Sequence, residues 1–131
     1  MIRRITIIQI RKPAEYDINE ELQWVGTSLG LFNLRDKDKS CFRIFIELLK
    51  TTKQKKSLSS DEIAYRLNLS RGTVVHHIKK LEDAGIVTIE KNRYILRADN
   101  LRSLINEIEK DMKRTCDDLK EIADKIDKRL N

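Results

Sequence analysis

Two adjacent histidines, His76 and His77, lie among basic and hydroxylated side chains in the stretch Leu69 to Val87, LSRGTVVHHIKKLEDAGIV. A shared metal is the first chemistry to consider. Helical neighbours point about 100° apart, whereas histidines that grip one ion usually sit at i and i+4. The chain has no third histidine, and its cysteines, Cys41 and Cys116, stand 75 positions apart without a CxxC pair. No metal site is therefore expected, and both cysteines read as buried, reduced thiols of an intracellular protein. His77 is expected to pack on a flank between helices or to touch a phosphate. Serines fall in caps and turns with no paired base, and no Gly-rich phosphate loop occurs. Neither an enzyme nor a bound cofactor is expected.

The second chemistry is attraction to a polyanion. The net charge is +6 over 131 residues, and its placement matters more than its size. Residues 1–34 carry four basic and four acidic side chains, net 0; residues 35–97 carry fifteen and eight, net +7; residues 98–131 carry eight and nine, net −1. A basic surface confined to the middle third favours nucleic acid. The competing explanation is a lysine-rich surface that serves only solubility.

On a helical wheel Val74, Ile78 and Leu81 form a narrow apolar stripe. Gly72, Val75, His76, Lys79 and Asp83 lie opposite, with Thr73 and Lys80 on the flank and Arg71 in the first turn. No acid occurs before Glu82. An ordinary solvated face would mix both signs, whereas a surface that meets phosphate excludes acids. Ser70 and the free amides of the helix start suit a phosphate. Arg71 suits phosphate or a bidentate pair with guanine, and Val75 suits a thymine methyl. Thr73, Val75 and His76 are short enough for close approach, while Lys79 and Lys80 reach phosphates.

The elements that position these residues follow from patterning. A single proline and four glycines among 40% hydrophobic and 37% charged residues indicate a mostly helical chain. IRRITIIQIR, residues 2–11, alternates β-branched residues and reads as a strand. Its basic, apolar opening is too short and interrupted for a signal peptide, and no run is long enough for a membrane span. Asp17 with Glu20 resembles a capping box for a helix over about 18–30, with Ile18, Leu22, Val25 and Leu29 inward. Phe42, Phe45, Ile46 and Leu49 mark the stripe of a second helix. Ser59 and Glu62 form a capping box for a short third helix with Ile63, Ala64 and Leu67 inside. Ser70 caps the fourth helix and Gly85 ends it. IVTIE and RYILR, joined by Lys91-Asn92, form a hairpin.

Helix, short helix, tight turn, helix and hairpin are the order of a winged helix-turn-helix, with the recognition helix at 70–84 and the wing at 86–97. Lys91 and Arg93 would touch an adjacent minor groove or the backbone. At this point LSRGTVVHHIKKLEDAGIV resembles the recognition segment of ArsR-type winged-helix regulators and their prokaryotic relatives. Ser70, Thr73-Val74, His77, Leu81 and Ala84-Gly85-Ile86-Val87 carry the likeness, which covers about residues 40–97. It implies a dimeric DNA-binding transcription regulator. The Lys- and Ile-rich composition and the added N-terminal segment look archaeal. Metal sensors of this type carry a cysteine pair in the first or second helix of the domain, and this chain has none.

The chain closes with a helix from about Asp99 to Leu130. Leu101, Ile105, Ile108, Met112, Thr115, Leu119, Ile122 and Ile126 recur at spacings of four and three, an a/d heptad seam. Glu109, Asp111, Asp118 and Lys125 flank it, and Thr115, Cys116 and Arg129 weaken it. A helix of about 30 residues spans about 45 Å, longer than so small a domain can cover. Pairing between two chains, parallel or antiparallel, is favoured over packing back on its own domain. The N-terminal strand and the Trp24 helix either complete the same dimer interface or, with Trp24, Val25 and Leu29, line a small effector pocket.

The expectation is a cytoplasmic, homodimeric regulator of double-stranded DNA. It is built as an extension over 1–34, a winged helix-turn-helix over 35–97 and a coiled-coil-like dimerisation helix over 98–131. Its DNA contacts are Ser70, Arg71, Thr73, Val75, His76, Lys79, Lys80, Lys91 and Arg93. Its dimer contacts are Leu101, Ile105, Ile108, Met112, Leu119, Ile122 and Ile126. The alternative is a winged-helix protein-interaction module within a larger complex.

Overall fold

The computed structural model describes residues 2–14 and 17–131. Among these residues the order is α1 (Ile18–Ser28), α2 (Ser40–Lys53), β1 (Leu58–Ser59), α3 (Ser60–Leu67), α4 (Arg71–Asp83), β2 (Val87–Glu90), β3 (Arg93–Leu96) and α5 (Leu101–Leu130). The three strands form one antiparallel sheet in the order β1-β3-β2. This is a winged helix-turn-helix carrying a long C-terminal helix. No helix among the described residues is long and apolar enough to cross a membrane.

Local chemistry accounts for most of these boundaries. Asp17 caps α1 by accepting from the Asn19 amide. α1 stops at Ser28, two residues before its expected end, and Gly30 turns the chain at φ 73°. Ser59 and Glu62 complete a capping box on α3, with both hydrogen bonds at 3.1 Å. Asn68 ends α3 in the left-handed region. Lys91 and Asn92 both have positive φ, as a two-residue type I′ turn between twisted strands requires. β1 was not expected. Its two residues pair with Tyr94 and Arg93 of β3 and lengthen the wing sheet beyond the hairpin.

Four expectations are corrected. Residues 2–11 do not form a strand. The segment crosses helix ends, where no strand edge offers a ladder. It makes isolated bonds instead, from the Arg4 amide to the Asp83 carbonyl and from the Ile8 amide to the Ser28 carbonyl. The buried face of α2 is Cys41, Ile44, Phe45 and Leu48, whereas Phe42, Ile46 and Leu49 are only half-buried. Phe42 turns toward Phe32, ring centroids 4.7 Å apart, and a Cβ on Gly26 would lie 2.6 Å from its ring. Ile18 is exposed, while Gly26 and Leu29 bury the inner side of the α1 end. Cys116 is exposed; only Cys41 is buried, and burial pushes its thiol up to about 11.

One core cluster joins all three parts of the chain. Leu29 and Leu31 come from the first part, Ile63, Val74, Leu81 and Leu96 from the middle, and Leu104 and Ile108 from α5. The expected seam of α5 is therefore divided. Ile108 is buried and Leu101 half-buried in the chain's own domain, and Leu104, outside the seam, is buried with them. Ile105, Met112, Leu119, Ile122 and Ile126 are exposed.

Candidate nucleic-acid interface

Ser70 sets the start of α4. Its Oγ accepts from the Thr73 amide at 3.1 Å and donates to the Thr73 hydroxyl at 2.8 Å. Both hydroxyls thus serve the cap, and Thr73 is half-buried. Val74, Ile78 and Leu81 are buried as the wheel requires, packing α4 against α2 and α3. The opposite face is open. Arg71, Gly72, Val75, His76, Lys79 and Lys80 are all exposed, Val75 by 46%. Among the described residues nothing lies within 4 Å of where a Cβ on Gly72 would stand, so a ligand backbone can approach closely there.

The basic side chains differ in freedom. Arg71 is 73% exposed, with its Nε 3.6 Å from Asp61 Oδ1 on α3. Both groups face water, so this pair is worth little and yields readily to a phosphate. Lys79 donates to Asp83 at 2.9 Å, and that hydrogen bond raises its pKa. Lys80 has no ion pair among the described residues. Lys91 sits exposed at the wing tip. Arg93 turns away from the tip: it bonds the Ser57 carbonyl and hydroxyl at 2.8 and 3.0 Å and the Glu62 carboxylate at 2.8 Å. Its geometry is that of a clasp between the wing and the start of α3.

His76 and His77 diverge, their rings edge to face with centroids 5.1 Å apart. His76 faces out with the basic side chains. His77 packs on the flank, where its Nε2 lies 3.8 Å from Asp36 Oδ2 and its Nδ1 has no partner among the described residues. Burial lowers the His77 pKa against the pull of Asp36. Asp36 in turn caps α2 by accepting from the Ser40 and Cys41 amides. Burial opposes its ionisation, yet those amides, helped by His77, hold its pKa below the usual carboxylate value. Leu29 lines a groove of about 340 Å³ between the N-terminal segment and α4, with Arg4, His76 and Lys79 at its rim. Trp24 does not join it; its indole donates to the Arg11 carbonyl at 3.0 Å.

A cluster missed by sequence reasoning locks the far end of α4. Asp111 of α5 is only 5% exposed and accepts from both terminal nitrogens of the Arg97 guanidinium, at 2.5 and 3.1 Å. Arg114 also bonds it, Arg3 Nε lies 3.6 Å away, and Arg97 reaches the Gly85 carbonyl at 3.3 Å. The Arg97 hydrogen bond holds the Asp111 carboxyl below its ordinary pKa in spite of burial. The N-terminal segment, the recognition-helix stop, the wing base and α5 thus meet at one carboxylate. The sequence offered only a charged residue beside the seam. Gly85 is the local requirement, with φ 79°. A Cβ there would stand 2.6 Å from Arg3 Nη1, the end of a flexible side chain, and 3.1 Å from Arg97 Nη1, which Asp111 holds in place. Gly85→Ala is expected to cost about 1–2 kcal/mol, mainly through backbone strain. Thermal unfolding should show a fall of several degrees; an unchanged Tm would refute the assignment.

The fold and this exposed basic helix define the class: a helix-turn-helix domain. Comparison with protein families bears this out, since a family model described as a helix-turn-helix domain matches residues 38–90. That span runs from the approach to α2 through β2. No curated protein and no solved structure matches the chain.

Proposed function

We propose that the chain is a homodimeric, sequence-specific regulator of transcription that binds double-stranded DNA. α4 would enter the major groove, and Lys91 of the wing would lie on the adjacent minor groove or backbone. The observation that carries this reading is the exposed face of α4, free of acids until Glu82, on a segment of net charge +7. Arg71, Val75, His76 and Lys80 are the contacts this face favours most. Ser70 and Thr73 act through the helix start, and Lys79 after release from Asp83. The likeness of Leu69 to Val87 supports a place among relatives of the prokaryotic ArsR-type regulators, without their cysteine-based metal sensing. The exposed apolar residues of α5 support self-association.

Duplex binding measured across a salt series tests the proposal. Affinity should fall steeply as salt rises, because each phosphate contact releases condensed counterions. Absence of duplex binding at low salt would sink it and favour a protein-interaction module.

A further inference from the structure

We propose that two copies pair antiparallel through the distal half of α5, with Leu119 opposite the partner's Ile122 and Asp118 opposite the partner's Lys125. This deepens the homodimer reading and rests on it. Up to Asp111 the helix is held by its own domain; from Met112 to Leu130 it is exposed on every side. Leu119, Ile122 and Ile126 line one face of that free length. The second copy is the fitting occupant because the residues beside this face select a single alignment.

In an antiparallel pair, each a position meets a d position, and g positions flank g positions of the partner. Asp118 and Lys125 are the g positions of the free half. Pairing Leu119 with the partner's Ile122 sets Asp118 against the partner's Lys125 twice, by symmetry. It also aligns Met112 with the partner's Arg129, so the free halves overlap from end to end. Sliding one heptad toward the bodies opposes Asp118 to the partner's Asp118. Sliding one heptad away opposes Lys125 to the partner's Lys125. A parallel, in-register pair brings Arg129 against the partner's Arg129 and leaves Asp118 facing only the partner's Ala123. Lys125 has a weak pair within its own chain, Glu121 at 3.7 Å, and Asp118 has none among the described residues. Both are therefore available. The attachment points at Asp111 would then lie about 28 Å apart along the coil, of the order of one DNA turn.

Charge exchange in the full chain tests the alignment, with sedimentation reading the dimer constant. Asp118→Lys alone and Lys125→Asp alone should each weaken the dimer about tenfold, since both symmetric contacts change from attraction to repulsion. The double exchange should restore it to within about threefold, and the two single variants should form a heterodimer when mixed. Spin labels on Asn131→Cys in a Cys116→Ser background should lie about 30 Å apart, against well under 20 Å for a parallel pair. Unchanged single variants, an unrestored double variant or the shorter label distance would overturn the antiparallel register while leaving a homodimer intact. A wild-type chain that stays monomeric at tens of micromolar would overturn the homodimer itself.

Discussion

Alanine at Asp111 is expected to cost the fold about 3–5 kcal/mol, the range for breaking a buried pair by removing one partner. The carboxylate is buried beneath Arg97, Arg3 and Arg114. Without it three guanidinium groups face one another around a partly buried site. Arg97 retains the Gly85 carbonyl and Glu107, at 3.6 Å, as its remaining partners. Asparagine should lose less, because it keeps the shape and some of the hydrogen bonds. The pH dependence has a definite sign. The folded pKa of Asp111 lies below its ordinary value, so its contribution is present above about pH 4 and lost as pH falls through the folded pKa. Chemical denaturation of wild type and Asp111→Ala at neutral and acid pH measures both effects. A neutral-pH difference under about 0.5 kcal/mol would show the cluster to be incidental, at the level of ordinary surface substitutions.

Arg71→Ala combined with Lys80→Ala is expected to weaken duplex binding by about 2–4 kcal/mol and to lower the salt slope by about two contacts. The structure singles out this pair. Neither side chain supports the fold: Arg71 has only a long, exposed pair with Asp61, and Lys80 has no ion pair among the described residues. Lys79→Ala should do less, because Asp83 already holds its ammonium. Ser70→Ala is a poor probe, since losing the cap costs about 1 kcal/mol of helix stability. Arg93→Ala should chiefly loosen the wing from Ser57 and Glu62. Titration of a bound operator fragment with each variant reads the order. No loss from the Arg71 and Lys80 pair would remove α4 as the phosphate-contacting helix, whereas equal losses from Lys79 and Lys80 would show that Asp83 does not hold Lys79 back.

Local signals made much of the fold legible in the sequence. Caps at Ser59 and Ser70, the stop at Gly85 and the stripe of Val74, Ile78 and Leu81 each depend on residues close in sequence. The turn at Lys91-Asn92 was legible only because strand-like runs flank it. What escaped depended on distant partners. The residues from Ile2 to Arg11 have the pattern of a strand, but a strand also needs an edge, and patterning cannot reveal that none is offered. In α2 the aromatic residues suggested a stripe, whereas packing against α4 and β3 selected the smaller Cys41 and Ile44. Thr52 is buried because its hydroxyl accepts from the Leu96 amide, a partner 44 positions away. Asp111 looked like one of many surface acids until folding brought Arg3 and Arg97 to it. In the binding face, exposure was readable from the wheel. The diversion of Lys79 and Arg93 to internal partners was not.

The Asp111 cluster also bears on how such a protein can change its target over evolutionary time. It fixes the azimuth of α5 relative to the recognition helix, so the direction in which the distal face points is not adjustable locally. One residue inserted between Asp111 and Leu119 would swing that face by about 100° and, in the proposed pair, turn the partner aside. Seven would return it to within about 20° and move two antiparallel-paired bodies apart by about 21 Å. Half-site spacing in descendants of this architecture would then shift in discrete heptad steps, with intermediate lengths selected against.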